Sequence, residues 1–173
     1  MPRSIEASFE AAVTVEQVQS AFGSRDYWLA RIAAFDAGIT LDSFLRDADG
    51  AVSVTTTQDL RHEALPGPLA NVYPGNLSIH RSETWTPTEE RKVAGDIKVA
   101  ATGVPLSGSG TALLSTTGAG CRLTFAGSVQ FSLPIVGGRI ESYLVDQLVE
   151  GIGDILEFTT SWIAEHSTDR TYP

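Results

Sequence analysis

The sequence predicts an α+β protein in which a curved, seven-stranded antiparallel sheet wraps one long C-terminal helix, with two short helices after the first strand. Three observations predict it. Between Ile39 and Leu133, alternating segments follow one another at hairpin spacing, so sequence neighbours pair as a meander. From Gly138 to His166 the apolar period lengthens to three or four residues. Ile140, Leu144, Leu148, Gly151, Ile155, Phe158 and Trp162 form one stripe, and Asp146, Glu150, Asp154, Glu157, Ser161 and Glu165 form the opposite one. At ~1.5 Å per residue that helix is about 40 Å long. Its stripe needs a broad partner, and a curved sheet needs one element to close its concave side.

Taken in order, Ser4 to Ala11 alternates Ile5, Ala7, Phe9 and Ala11 with Ser4, Glu6, Ser8 and Glu10, a half-buried strand. Thr14-Val15-Glu16-Gln17 has the form of a capping box, and a short helix follows through Val18, Ala21 and Phe22. Gly23-Ser24 breaks it. Ser24 caps a second helix over Arg25 to Phe35, with Trp28, Leu29, Ile32 and Phe35 on one side and Gly38 as its stop. Ile39 to Arg46 and Ala51 to His62 form a hairpin across Asp47-Ala48-Asp49-Gly50. Leu65-Pro66-Gly67-Pro68 and Tyr73-Pro74-Gly75-Asn76 bracket a loop with one helical turn. Leu77 to Thr86 and Lys92 to Ala101 pair across Thr88-Glu89-Glu90-Arg91. After the corner Gly103-Val104-Pro105, Leu106 to Thr116 and Cys121 to Leu133 make the last hairpin.

Composition narrows the function classes. A chain of 173 residues with 42% hydrophobic residues points to one domain with a real core. A net charge of −9, with no run of five like charges, argues against nucleic acid and anionic membrane surfaces. No apolar run is long enough to span a membrane. The single cysteine, Cys121, excludes an intrachain disulfide. The N-terminus lacks a signal-peptide core, so a cytoplasmic location is expected.

The element order is the helix-grip plan, and the chain resembles the START-like (Bet v 1-like) superfamily of pollen allergens, steroid-transfer domains and polyketide cyclases. The resemblance runs from Ser4 to about His166, so residues 1–173 are expected to form a single START-like domain. Its most telling part is Leu133-Pro134-Ile135-Val136-Gly137-Gly138-Arg139-Ile140-Glu141, similar to the strand-to-helix corner of bacterial members. Trp85 at the end of a central strand and the Gly103-Val104-Pro105 corner look like an uncharacterised bacterial branch. The resemblance implies a deep cavity between sheet and helix that holds an apolar ligand. It carries over no catalytic residue.

The residues themselves suggest where such a ligand touches. Gly151 and Gly153 each cost about 1 kcal/mol in a helix. They either leave room for a ligand or let the helix approach a large strand residue. Leu77, Ile79 and Trp85 share a strand phase with Arg81 and Glu83. That pair either forms a salt bridge at the rim, faces solvent, or makes a polar centre in the cavity. Val54, Thr56 and Gln58 grade from apolar to polar along the neighbouring strand. Leu123, Phe125, Val129 and Phe131 share one phase, as do Val93, Ile97 and Val99, and read as wall or core. Tyr143 and Gln147 flank the helix stripe. The ligand-binding set is therefore Arg81, Glu83, Trp85, Gln58, Phe125, Tyr143, Gln147, Gly151 and Ile155. His62, His80 and His166 have no metal-ligand spacing, and Cys121 reads as a core residue. Gly108-Ser109-Gly110 fits no nucleotide-binding fingerprint. No metal and no cofactor are expected.

Three functions compete. The first is a carrier or sensor for a small apolar molecule such as a lipid, isoprenoid or polyketide. The second is an aromatase/cyclase- or dehydratase-like enzyme in the same cavity, with Arg81, Glu83, Tyr143 and His80 as candidates and Glu83 as an acid of raised pKa. The third is a protein-interaction module using the loop Leu65 to Asn76, with Leu69, Val72 and Tyr73; the protein partner is unknown. The first is expected.

Overall fold

A computed structural model describes residues 3–35, 38–61, 63, 65, 67–71, 73–132 and 137–167. The elements run β1 (Arg3–Ala11), α1 (Val15–Phe22), α2 (Arg25–Ala34), β2 (Ile39–Arg46), β3 (Val52–Leu60), α3 (Gly67–Ala70), β4 (Leu77–Pro87), β5 (Val93–Thr102), β6 (Leu106–Thr116), β7 (Cys121–Phe131) and α4 (Gly137–Ser167). The seven strands form one antiparallel sheet in the order β1-β7-β6-β5-β4-β3-β2. This is the helix-grip architecture, with β1 and β2 as the two edges. The element order agrees with the sequence reading, and strand ends move by one or two residues. The corner residues Leu133 to Val136, and His62, lie outside the described residues. No described helix is long and apolar enough to cross a membrane.

Local chemistry explains the joints. Thr14 and Gln17 close the capping box of α1: Thr14 N–H donates to Gln17 Oε1 at 2.8 Å, and Gln17 N–H donates to Thr14 Oγ1 at 3.1 Å. Ser24 holds the N-cap position of α2 but makes no capping bond with its side chain. Trp28 Nε1 instead donates to Phe22 O at 2.8 Å and locks α1 to α2. In the β2–β3 turn, Asp47 Oδ1 accepts from the backbone N–H groups of Asp49 and Ala51, and Gly50 takes φ 87°, where a side chain would strain the turn. At the far end, Phe131 N–H donates at 2.8 Å to the buried carboxylate of Glu141, tying the end of β7 to the first turns of α4.

Two expectations about α2 are corrected. Leu29 is 45% exposed, while Tyr27, Trp28 and Arg31 are the buried residues. The helix packs against β2, α1 and α4 and turns these three inward, where Tyr27 meets α4: its ring contacts Trp162 at 5.4 Å and Phe158 at 6.0 Å, and its hydroxyl lies 2.6 Å from Thr159 Oγ1. Thr159 already donates to Ile155 O at 2.7 Å, so Tyr27 is the donor. Gly38 does not close the helix, which ends at Ala34 with Phe35 as its cap.

The core has two parts. One gathers Val15, Val18, Phe22, Tyr27, Trp28 and Trp85 under α1 and α2; the other gathers Ile5, Leu77, Leu106, Phe131 and Ile140 near the start of α4. Between them α4 does not seal against the sheet. Leu144, Leu148, Gly151 and Ile155, in the middle of its apolar stripe, are left only half-buried or exposed to the space beneath.

Candidate functional site

A cavity of about 440 Å³ fills that gap, within the size range of small-molecule sites, roughly 300–1,000 Å³. Strand register builds its floor. One inward row runs Val54, Glu83, Ile97, Gly110, Gly127 and Ile5 across the sheet, and the next runs Thr56, Arg81, Val99, Gly108 and Val129. Glycine interrupts both rows, so the floor is low at its centre. There the Phe125 ring lies over Gly110 and Gly127. Trp85 does the same over its register partner Gly95, where an added Cβ would stand 2.5 Å from Cζ3 of the indole. A larger and more open polar groove, about 680 Å³, runs along the outer face of the sheet past His80, Ser82, Lys98 and Ser107. The inner cavity is the better candidate because it is the more enclosed, and because three charged groups, two of them buried, converge on it.

Those groups are Arg31, Arg81 and Glu83. Glu83 Oε2 lies 3.3 Å from Arg31 Nη2 and 3.3 Å from Arg81 Nε, and Glu83 Oε1 accepts from Trp85 Nε1 at 3.3 Å. Arg31 stacks its guanidinium 4.8 Å from the centroid of Trp28. The rings of Phe22 and Trp85 pack beside them with centroids 4.8 Å apart. Burial alone would push the Glu83 carboxyl up, but Arg31 and then Arg81 reverse that and hold it below the usual carboxylate range. Burial lowers Arg81, whereas the Glu83 charge raises Arg31 against the same desolvation. The Tyr27 phenol is raised by burial and stays neutral.

Eight of the nine residues picked from the sequence line this cavity: Arg81, Glu83, Trp85, Gln58, Phe125, Gln147, Gly151 and Ile155. Tyr143 is not among its lining residues. The two mid-helix glycines separate: a Cβ at Gly151 would meet open space, whereas one at Gly153 would stand 3.0 Å from Cε1 of Phe9. Gly151 thus leaves room, and Gly153 lets α4 approach the sheet. His80 is exposed on the outer face, where its ring meets Thr57 and Thr102 at 3.3 and 3.0 Å. The expectation of a raised pKa at Glu83 is overturned by its two arginine neighbours. Arg31 was missed. Nothing local marks it in the sequence: α2 carries apolar residues on more than one side, and only its packing turns Arg31 inward beside Trp28. Of the Leu65–Asn76 loop, Leu65 and Tyr73 pack on the second core cluster, and Tyr73 donates to Asn76 O at 3.1 Å. Val72 lies outside the described residues.

The protein has the helix-grip fold. Solved structures share it: TTHA0849 from Thermus thermophilus has a TM-score of 0.60 at 14% identity, covering 95% of this chain and 99% of that one. A conserved protein from Geobacillus kaustophilus has a TM-score of 0.59 at 15% identity, covering 94% and 96%. Norcoclaurine synthase from Thalictrum flavum has a TM-score of 0.53 at 11% identity, covering 96% of each chain. At these identities the likeness is one of fold.

By sequence the chain belongs to the family described as "Protein of unknown function (DUF2505)", which matches residues 6–163. The uncharacterised proteins Rv0481c of Mycobacterium tuberculosis and Mb0491c of Mycobacterium bovis are each 34% identical to it over 173 residues, covering 96% of this chain and 99% of theirs.

Proposed function

We propose that this protein is a single-domain cytoplasmic carrier or sensor that holds a small, mainly apolar molecule, of lipid, isoprenoid or polyketide type, between the sheet and α4. The observation that carries the reading is the unfilled middle of the apolar stripe on α4, where Gly151 faces open space across a cavity walled by Phe125, Ile97 and Val129. A helix residue that costs about 1 kcal/mol against alanine and makes no packing contact in return is explained by the room it leaves. Arg81, Glu83, Trp85, Gln58, Gln147 and Ile155 complete the proposed contact set.

The enzymatic alternative loses ground on the geometry of its own candidates. His80 and Tyr143 do not line the cavity, and a Glu83 held ionised by two guanidiniums is a poor proton donor at neutral pH. The test is a fluorescence titration with the apolar dye N-phenyl-1-naphthylamine. Saturable one-to-one binding is expected, together with a raised melting temperature, because a ligand that binds only the native state stabilises it. Gly151→Trp should abolish both while leaving the protein folded. Failure of the dye and of a lipid, isoprenoid and polyketide panel to bind would sink the reading.

A further inference from the structure

We infer that the cavity is built for an amphipathic acid: a molecule with an apolar body and one carboxylate or similar oxyanion, its acidic head seated at the Arg81 guanidinium. This rests on the ligand-binding reading above and adds the chemical class of the ligand.

Charge is the first ground. Among the described residues lining the cavity, the charged side chains are Arg31, Arg81, Glu83 and Asp154. Asp154 is exposed on α4 and belongs to the water at the cavity edge. Inside, two guanidiniums share one carboxylate. Both lie against the same oxygen, Oε2, and the other oxygen takes the Trp85 N–H. Glu83 therefore cannot neutralise both, and one positive charge remains in an enclosed, aromatic-walled space. Uncompensated charge in such a place is costly, and an anion relieves it.

Accessibility shows which arginine is left over. The Arg31 and Glu83 side chains are 9% and 4% accessible, but Arg81 is 32% accessible, and it lines the cavity. Its Nε is buried and makes no hydrogen bond to any described residue, although it stands 3.3 Å from the Glu83 carboxylate: the distance is short but the alignment is poor. Arg31 and Glu83 thus form the supporting pair, and Arg81 is the open member. A guanidinium presents a planar fork of donors that matches an oxyanion. Thr56 is its register partner on β3 and brings a hydroxyl to the same end of the cavity. The rest of the lining is mainly aliphatic and aromatic, with Phe125, Val129, Leu144 and Leu148 available to the body of the ligand, and carries Ser128, Gln147 and Thr159 besides.

Displacement of N-phenyl-1-naphthylamine tests this with two acids, dodecanoate and 2-naphthoate, each against its own alcohol. The wild type should take at least one acid about tenfold or more tighter than the matching alcohol, the size of a charge-assisted hydrogen bond. Which acid wins tells a chain from a fused ring. Arg81→Met should erase that preference, read as the ratio of acid to alcohol affinity within the variant itself. Arg81→Lys should keep part of it, retaining charge without the fork. Alcohols that match or beat both acids, or an unchanged preference in Arg81→Met, would overturn the inference while the dye still reports a working cavity. Absence of dye binding would instead remove the ligand reading beneath it. The acid-against-alcohol comparison is made on the wild type, so it decides the matter even where Arg81→Met fails to fold.

Discussion

Glu83 faces two cations from two different elements, Arg31 from α2 and Arg81 from its own strand. Because the folded state lowers its pKa from the ordinary value of 4.5, it binds fewer protons there than in the unfolded chain. The resulting stabilisation is full above that value and drains away as pH falls through the lower folded pKa. The melting temperature of the wild type should therefore drop on the acid side of about pH 4.5. Glu83→Gln should lose about 3–5 kcal/mol at pH 7, chiefly because it leaves the buried Arg31 guanidinium without its anion. Its acid-side drop should be smaller; thermal melts of both proteins from pH 7 to pH 3 measure this. A second residue-scale prediction concerns Gly95. The six-membered ring of Trp85 occupies the place of its Cβ, and Trp85 is buried under Phe22. Gly95→Ala should cost about 1–3 kcal/mol in urea denaturation, the usual penalty of overpacking.

On α4 two glycines two residues apart, Gly151 and Gly153, do different work. Gly151→Ala meets no neighbour, so it should gain up to about 1 kcal/mol of helix propensity, or roughly 2–4 °C in a chain of this size. Gly153→Ala has the same propensity to gain but must push the Phe9 ring edge, 3.0 Å away. Paired thermal melts should show Gly151→Ala as the more stabilising of the two; equal gains would mean that Phe9 yields freely. The distinction was not legible in the sequence. Both glycines sit mid-helix, and only the phase of α4 against β1 and the cavity separates them. The same holds for α2. Its apolar residues fall on more than one side, so periodicity alone put Leu29 inward, whereas packing against α4 put Tyr27 there and pairing with Glu83 on β4 put Arg31 there.

In the whole molecule the two core clusters hold the cavity open between them, and stability and binding are therefore linked. A ligand at 100 times its Kd should add about 2.7 kcal/mol to unfolding, and Gly151→Trp should remove that gain by filling the space. Cys121 offers an independent probe of the first cluster. It is buried in that cluster, and burial raises its thiol pKa. It should resist Ellman's reagent in the native protein and react once the sheet unfolds, so the labelling rate reports opening of the core.

The architecture was legible in the residues alone. Strand alternation, the Asp47–Gly50 turn, the Thr14–Gln17 capping box and the long apolar stripe are local patterns, and each acts through neighbours a few residues away. The sequence also placed Arg81 and Glu83 on the same strand face as Trp85, because the period of a strand is two. Which partner each inward side chain meets is set by the folded arrangement. Arg31 reaches Glu83 across 52 residues, and Tyr27 reaches Thr159 across 132. Sheet register alone aligns the Gly110–Gly127 and Gly108 rows that lower the cavity floor. Charge compensation and empty space depend on elements brought together by folding, so neither the lowered pKa of Glu83 nor the open side of Gly151 has a local signature.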